Sequence, residues 1–126
     1  MTKMNALILT TLLALSGATT LIADEAVRMT IGDLYKDHAA LGGKQVTVQG
    51  EVVKVNAGIM QRNFIHIQDG SGEAADGTNN LVVTTQDMAA VGDKVTVSGT
   101  VVVDQDFGFG YHYPLLVEEA SVIGSE

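Results

Sequence analysis

Side chains able to hold a soft metal ion are few in this chain, which has no cysteine, five methionines and three histidines. Without thiolates, a metal site must use imidazole, thioether, carboxylate or carbonyl donors. Met60 and His66 flank the point where a loop leads into a strand, and His112 stands in a later loop rich in glycine and aromatic residues. Thioether and imidazole together suit Cu(I), which does not demand the charged oxygen ligands that calcium and magnesium require. The expected metal set is therefore Met60, His66 and His112. Met88 ranks lower, because it follows a different strand and is expected at the opposite end of the fold. A plainer reading stands beside this one: an isolated histidine can be a solvated strand residue and an isolated methionine a loop residue covering the end of a barrel.

A second group could bind a ligand by stacking and hydrogen bonding. Arg62, Asn63 and Phe64 run into the strand that carries His66. The segment from Asp104 to Pro114 holds Phe107, Phe109, Tyr111 and Tyr113, four of the six aromatic residues. With Phe64, the residues Asp106, Phe107, Tyr111 and Tyr113 are expected to form a stacking or apolar surface. The alternative is aromatic packing that fixes a glycine-rich loop; either way the rings should order it. The acids Asp69, Glu73 and Asp76 fail the calcium-loop spacing, since Ala74 follows Glu73 where the turn glycine belongs, and a solvated connection is expected there. No nucleophile elbow, zinc-protease helix or phosphate-cradling loop occurs, so the chain reads as a binding protein and not an enzyme.

These residues need elements to position them. Thr30 with Asp33 three residues on, then Leu34, His38 and Leu41 before Gly42-Gly43, reads as one short helix with a cap and a glycine stop. Val46, Val48 and Val52 alternate with polar residues around Gly50, a half-buried strand whose glycine marks a bend or bulge. The phrase returns: Gly43, Val46, Thr47, Val48, Gly50, Val52 and Val53 are matched by Gly92, Val95, Thr96, Val97, Gly99, Val101 and Val102 at a displacement of forty-nine residues. Two copies make no solenoid; they indicate two long bent strands in equivalent roles. Phe64 to Gln68, Leu81 to Thr85 and Leu115 to Val122 supply three more. In the first of these, Ile65 and Ile67 should face the core and Phe64, His66 and Gln68 the outside. The expected fold is all-β, a five-stranded Greek-key barrel of the oligonucleotide/oligosaccharide-binding (OB) type with one short N-terminal helix, over residues 27–124. An open β-sandwich is the rival.

Ahead of that domain, Lys3, the apolar run Ala6 to Leu15 and the small residues Ser16 to Ala18 form a secretory signal pattern, with cleavage after Ala18 or, second, after Ala23. The run is too short for the ~20 residues of a spanning helix. A soluble periplasmic protein without stable membrane association is expected. The net charge is −8, and losing Lys3 with the leader makes it −9. Seven basic residues scattered singly argue against nucleic acid, whose affinity comes largely from clustered Lys and Arg. An acidic surface instead suits a metal ion or a cationic protein.

Two resemblances bear on this. Phe64-Ile65-His66-Ile67-Gln68-Asp69-Gly70-Ser71-Gly72 resembles the second-strand phrase of OB domains in the anticodon-binding group. Val55 to Met60, Arg62 to His66, Asp106-Phe107-Gly108 and Tyr111 with Tyr113-Pro114 together resemble small periplasmic OB proteins found with multihaem nitrite reductase systems, the NrfJ-like group, over about Ile31 to Val122. That group often has Trp where this chain has Phe64. The resemblance implies an accessory protein serving a redox enzyme or cytochrome; the thioether and imidazole donors, with no thiol to oxidise, add the expectation that it carries Cu(I) or another soft metal. The alternative is a metal-free protein-interaction module docking through the aromatic loop; nucleic-acid binding is third, supported by the fold and opposed by the charge.

Overall fold

The computed structural model describes residues 26–125, so the expected leader lies outside the described residues. Six strands and one α-helix follow in the order β1 (Val27–Arg28), α1 (Ile31–Leu41), β2 (Gln45–Ile59), β3 (Arg62–Gln68), β4 (Leu81–Thr85), β5 (Lys94–Asp106) and β6 (His112–Gly124). Neighbours in the sheet run β1-β2-β3-β4-β6-β5, and β5 returns to pair with β2. Five strands thus close into a barrel, and β1 is a two-residue parallel addition on β2.

Closure depends on two long strands that each serve two partners. The first half of β2 pairs with β5 from Gln45↔Thr100 to Glu51↔Lys94, and its second half pairs with β3 from Glu51↔Gln68 to Ile59↔Arg62. Gly50 stands at the exchange. A Cβ there would sit 2.9 Å from the carbonyl oxygen of Gln68, so only glycine admits the approach. The expected bulge is not at Gly50 itself: pairing is regular there, and the register shift comes just after, between Val52 and Lys54. On β5, a Cβ at Gly99 would meet a Val117 methyl at 2.7 Å, opposite the register shift that leaves Glu119 at φ 51°. The forty-nine-residue repeat has a geometric meaning: Val48 faces Val97, Val46 faces Gly99 and Gly50 faces Val95, so the two copies pair antiparallel about a local two-fold.

Inside, Val46, Val48, Val52, Ile65, Ile67, Val83, Val97 and Val117 fill the barrel, and Ile31 and Leu34 of α1 join the same core. Thr30 caps the helix by accepting from the Asp33 amide at 3.1 Å. The turn after β3 completes the cap, since the Ile31 amide donates to the Asp69 carboxylate at 2.9 Å and the Gly32 amide to the Ser71 hydroxyl at 2.7 Å. Asp69, expected in a merely solvated tract, is a structural acceptor that satisfies amides a helix start leaves open. Further along, Glu73 and Asp76 fit that expectation in a connection containing one short 3₁₀ turn.

Candidate functional site

On β3, alternation places Ile65 and Ile67 in the core and Arg62, Phe64, His66 and Gln68 on the outside, as the sequence predicts. The outer face is not open. Phe64 is only 3% exposed, because Phe107 and Tyr113 cover it together with Val82 and Leu116. The ring centroids lie 5.7 Å apart for Phe64–Phe107 (edge-on), 6.0 Å for Phe64–Tyr113 and 5.9 Å for Phe107–Tyr113 (edge-on). Such a mutually packed trio is a small second core. The Arg62 guanidinium lies 5.5 Å from the Phe107 ring centroid and 3.6 Å from Glu118, locking the edge of the cluster.

The turn between β5 and β6 brings those rings over. Asp104 (φ 52°), Gly108 (φ 87°), Phe109 (φ 56°) and Gly110 (φ 85°) all adopt left-handed backbone, curling the ribbon. The Asp106 carboxylate accepts from the Gly108 amide at 2.8 Å, and the Phe107 amide donates to the Tyr111 carbonyl at 2.9 Å. The expected aromatic surface therefore divides. Phe107 and Tyr113 pack inward, whereas Phe109 is 99% exposed and Tyr111 55% exposed.

Several expected ligand residues have structural duties instead. Asn63 is buried: its side-chain carbonyl accepts from the Gly58 amide at 3.0 Å, and its NH2 group donates to the Asp87 carbonyl at 2.8 Å and faces the Met88 sulfur at 3.3 Å. It ties the β2–β3 hairpin to the segment after β4 and is not free for a ligand. Asp106 shapes its own loop. Phe64 offers no face for stacking.

The structure does not gather the expected metal donors. Met60 and Gln61 form a two-residue hairpin turn with φ 52° and 66°. His66 pairs with Lys54, whereas the turn follows the pair Ile59↔Arg62, so His66 lies about 13 Å or more along the ladder from Met60, at ~3.3 Å per residue. Its imidazole faces the other way: the Asn80 amide donates to Nδ1 at 3.2 Å, next to Gln68. Burial, with a smaller effect of the Lys54 charge, holds the His66 pKa below its ordinary value. His112 lies beside Asp104 at 3.9 Å. Met88 stands near Asn63, hence at the same end as the Met60 turn and not the opposite one, because β4 runs antiparallel to β3 with Asn63 facing Thr85. Among the described residues no three His, Asp or Glu side chains converge on a possible metal position.

No family model and no curated protein matches this chain. Solved structures do. One is a protein assigned as an aspartyl-tRNA synthetase from Leishmania major Friedlin, with TM-score 0.55 and 14% identity over 85% of this chain. Another is the asparaginyl-tRNA synthetase of Entamoeba histolytica in complex with asparaginyl-adenylate, with TM-score 0.51 and 17% identity over 81%. The fold is an OB barrel. This chain spans 22% and 25% of those two proteins, and at such identity the likeness is one of fold. In OB barrels, ligands generally lie on the outer face of the second and third barrel strands, between the loops after the first and fourth. In this chain the part of that face over Phe64 and Val82 is occupied by Phe107 and Tyr113.

Sequence reasoning put Phe109 in the aromatic loop without singling it out. The signal was present: a phenylalanine between two glycines is poorly placed to pack, since glycine brings no side chain to cover it.

Proposed function

We propose that this protein is an exported OB-fold interaction module that docks through the tip of its β5–β6 ribbon on a cationic protein, such as a cytochrome of a periplasmic redox system. The observation that carries the reading is Phe109, fully exposed in left-handed backbone. A bulky residue is disfavoured in that conformation, and here no intramolecular burial offsets the cost. Tyr111, two residues on, is also exposed, and exposed Asp104 and Asp106 on the same ribbon add negative charge. An apolar centre with a charged rim is the anatomy of a docking patch, and the chain's net charge of −8 would steer a basic partner toward it.

A second reading has its own support. The structural neighbours are aminoacyl-tRNA synthetases, which favours nucleic-acid binding. Against it stand the acidic charge and the covered Phe64, since single strands are held by basic grooves and open aromatic platforms. Cu(I) carriage finds no assembled donor set to rest on. Two titrations separate the first two readings. Docking predicts micromolar binding to a cationic c-type cytochrome, weakening as salt rises, with no detectable anisotropy change for mixed-sequence single-stranded oligonucleotides at physiological salt. Oligonucleotide binding with a steep salt dependence, and none to the cytochrome, would reverse the assignment.

A further inference from the structure

We propose that the cleft between the β2–β3 hairpin and the outer side of β4 and β6 is a binding site for a primary alkylammonium group. The cleft encloses about 500 Å³, and Met60, Thr84, Asp87, Glu118, Glu119 and Ser121 are among its lining residues. Arg62, which also lines it, is its one cation beside three carboxylates, leaving an excess of two negative charges.

Thr84 points to an occupant. It is 2% exposed, and its neighbour Val83 faces the core, so strand alternation turns the Thr84 side chain outward, onto the cleft side. Among the described residues its hydroxyl has no hydrogen-bond partner, whereas the adjacent Thr85 hydroxyl donates to the Ala120 carbonyl at 2.7 Å and accepts from the Asp87 amide at 2.9 Å. A buried hydroxyl without a partner is costly unless something in the adjoining space bonds to it.

The arrangement of the acids selects the kind of cation. No three of the acids or histidines converge on one point, so a small metal ion would not be enclosed. Asp87 already accepts from the Val122 amide at 2.9 Å, and Glu118 is held at 3.6 Å by Arg62. Glu119, left-handed and exposed at the bulge, is unpaired among the described residues. Dispersed carboxylates above a buried hydroxyl suit an ammonium group with three donors on a flexible apolar stem, and the Met60 side chain offers that stem an apolar wall. Lysine side chains and free diamines share this chemistry. Arg62 joins the cleft wall to the aromatic cluster, so a lysine of the docked protein proposed above could reach it; in that respect the inference rests on the docking reading.

The test is a ¹⁵N–¹H NMR titration of the protein with putrescine, with N-acetyl-lysine methylamide, and with 1-butanol as the neutral control. The expected result is saturable shifts centred on the Thr84, Ala120 and Ser121 amides with one or both amines, and none with the alcohol. Binding of both amines fits a free diamine or a lysine; binding of the lysine derivative alone assigns the site to a protein partner. Glu118→Gln with Glu119→Gln should weaken binding about fivefold, as two partly screened ion pairs would. Thr84→Val should weaken it too without lowering the unfolding temperature, because it removes an unpaired hydroxyl at constant shape. Phe109→Ser should leave amine binding unchanged, which separates this site from the docking tip. Shifts that do not saturate, that occur equally with 1-butanol, or that survive both the acid and the threonine substitutions would overturn the proposal.

Discussion

Replacing Phe64 by alanine should cost the protein far more stability than its position on the outer face of a barrel suggests. The ring is 3% exposed and contacts Phe107 at 5.7 Å and Tyr113 at 6.0 Å between centroids. Phe→Ala in a packed core costs about 3–5 kcal/mol, and each aromatic pair contributes roughly 0.5–1.5 kcal/mol beyond area burial. Phe107 and Tyr113 belong to a curled ribbon end that can settle into the gap, so the lower figure of about 3 kcal/mol is expected. For a domain near a hundred residues that is a fall of roughly 12–24 °C in Tm. Urea unfolding followed by far-UV circular dichroism should show a lower midpoint at unchanged slope. Phe109→Ala is the internal control and should change stability by no more than about 0.5 kcal/mol. A loss below about 1 kcal/mol for Phe64→Ala would mean that the ribbon does not seal the face in solution, and the division of the aromatic residues would be wrong.

Two other outcomes follow from the same structure. Asp69→Ala removes the acceptor for the Ile31 and Ser71 amides and should cost about 1–2 kcal/mol in urea unfolding; unchanged stability would refute its role as a helix cap. His66 has a folded-state pKa below the ordinary 6.5, so above that value it is neutral folded or unfolded and adds no pH dependence. As pH falls below 6.5 the unfolded chain takes up the proton first, and stability should decline until the folded pKa is passed. His66→Gln should flatten that decline in thermal melts between pH 7 and pH 5, and an identical slope would contradict the burial of the ring.

Much of the fold was legible because it rests on local periodicity. The alternation through Ile65 and Ile67 states which face of β3 is inside, the repeated valine phrase marks the two strands that pair about a local two-fold, and Thr30 with Asp33 marks the start of α1. What was not legible depends on approaches between distant segments. Nothing near Asn63 in sequence says that its amide will bind the backbone of Asp87, or that Asp69 will cap a helix thirty-eight residues earlier. The placing of Met88 went wrong because direction along a sheet depends on strand order. The aromatic loop was recognised as a unit, yet its division into a covering pair and an exposed pair accompanies left-handed backbone at Asp104 and Phe109, and at Phe109 such a conformation is not expected from residue type.

The central claim, that the protein acts through the exposed tip and not through the covered face, is tested most directly by one comparison of affinities. Isothermal titration of a cationic c-type cytochrome should be run with the unaltered protein and with the Phe109→Ser, Tyr111→Ser double variant. Both side chains are exposed, so the variant should keep its thermal stability. The account predicts a Kd weaker by about tenfold or more, the loss expected when aromatic anchors at the centre of an interface are removed. Equal affinity for the two proteins would contradict it.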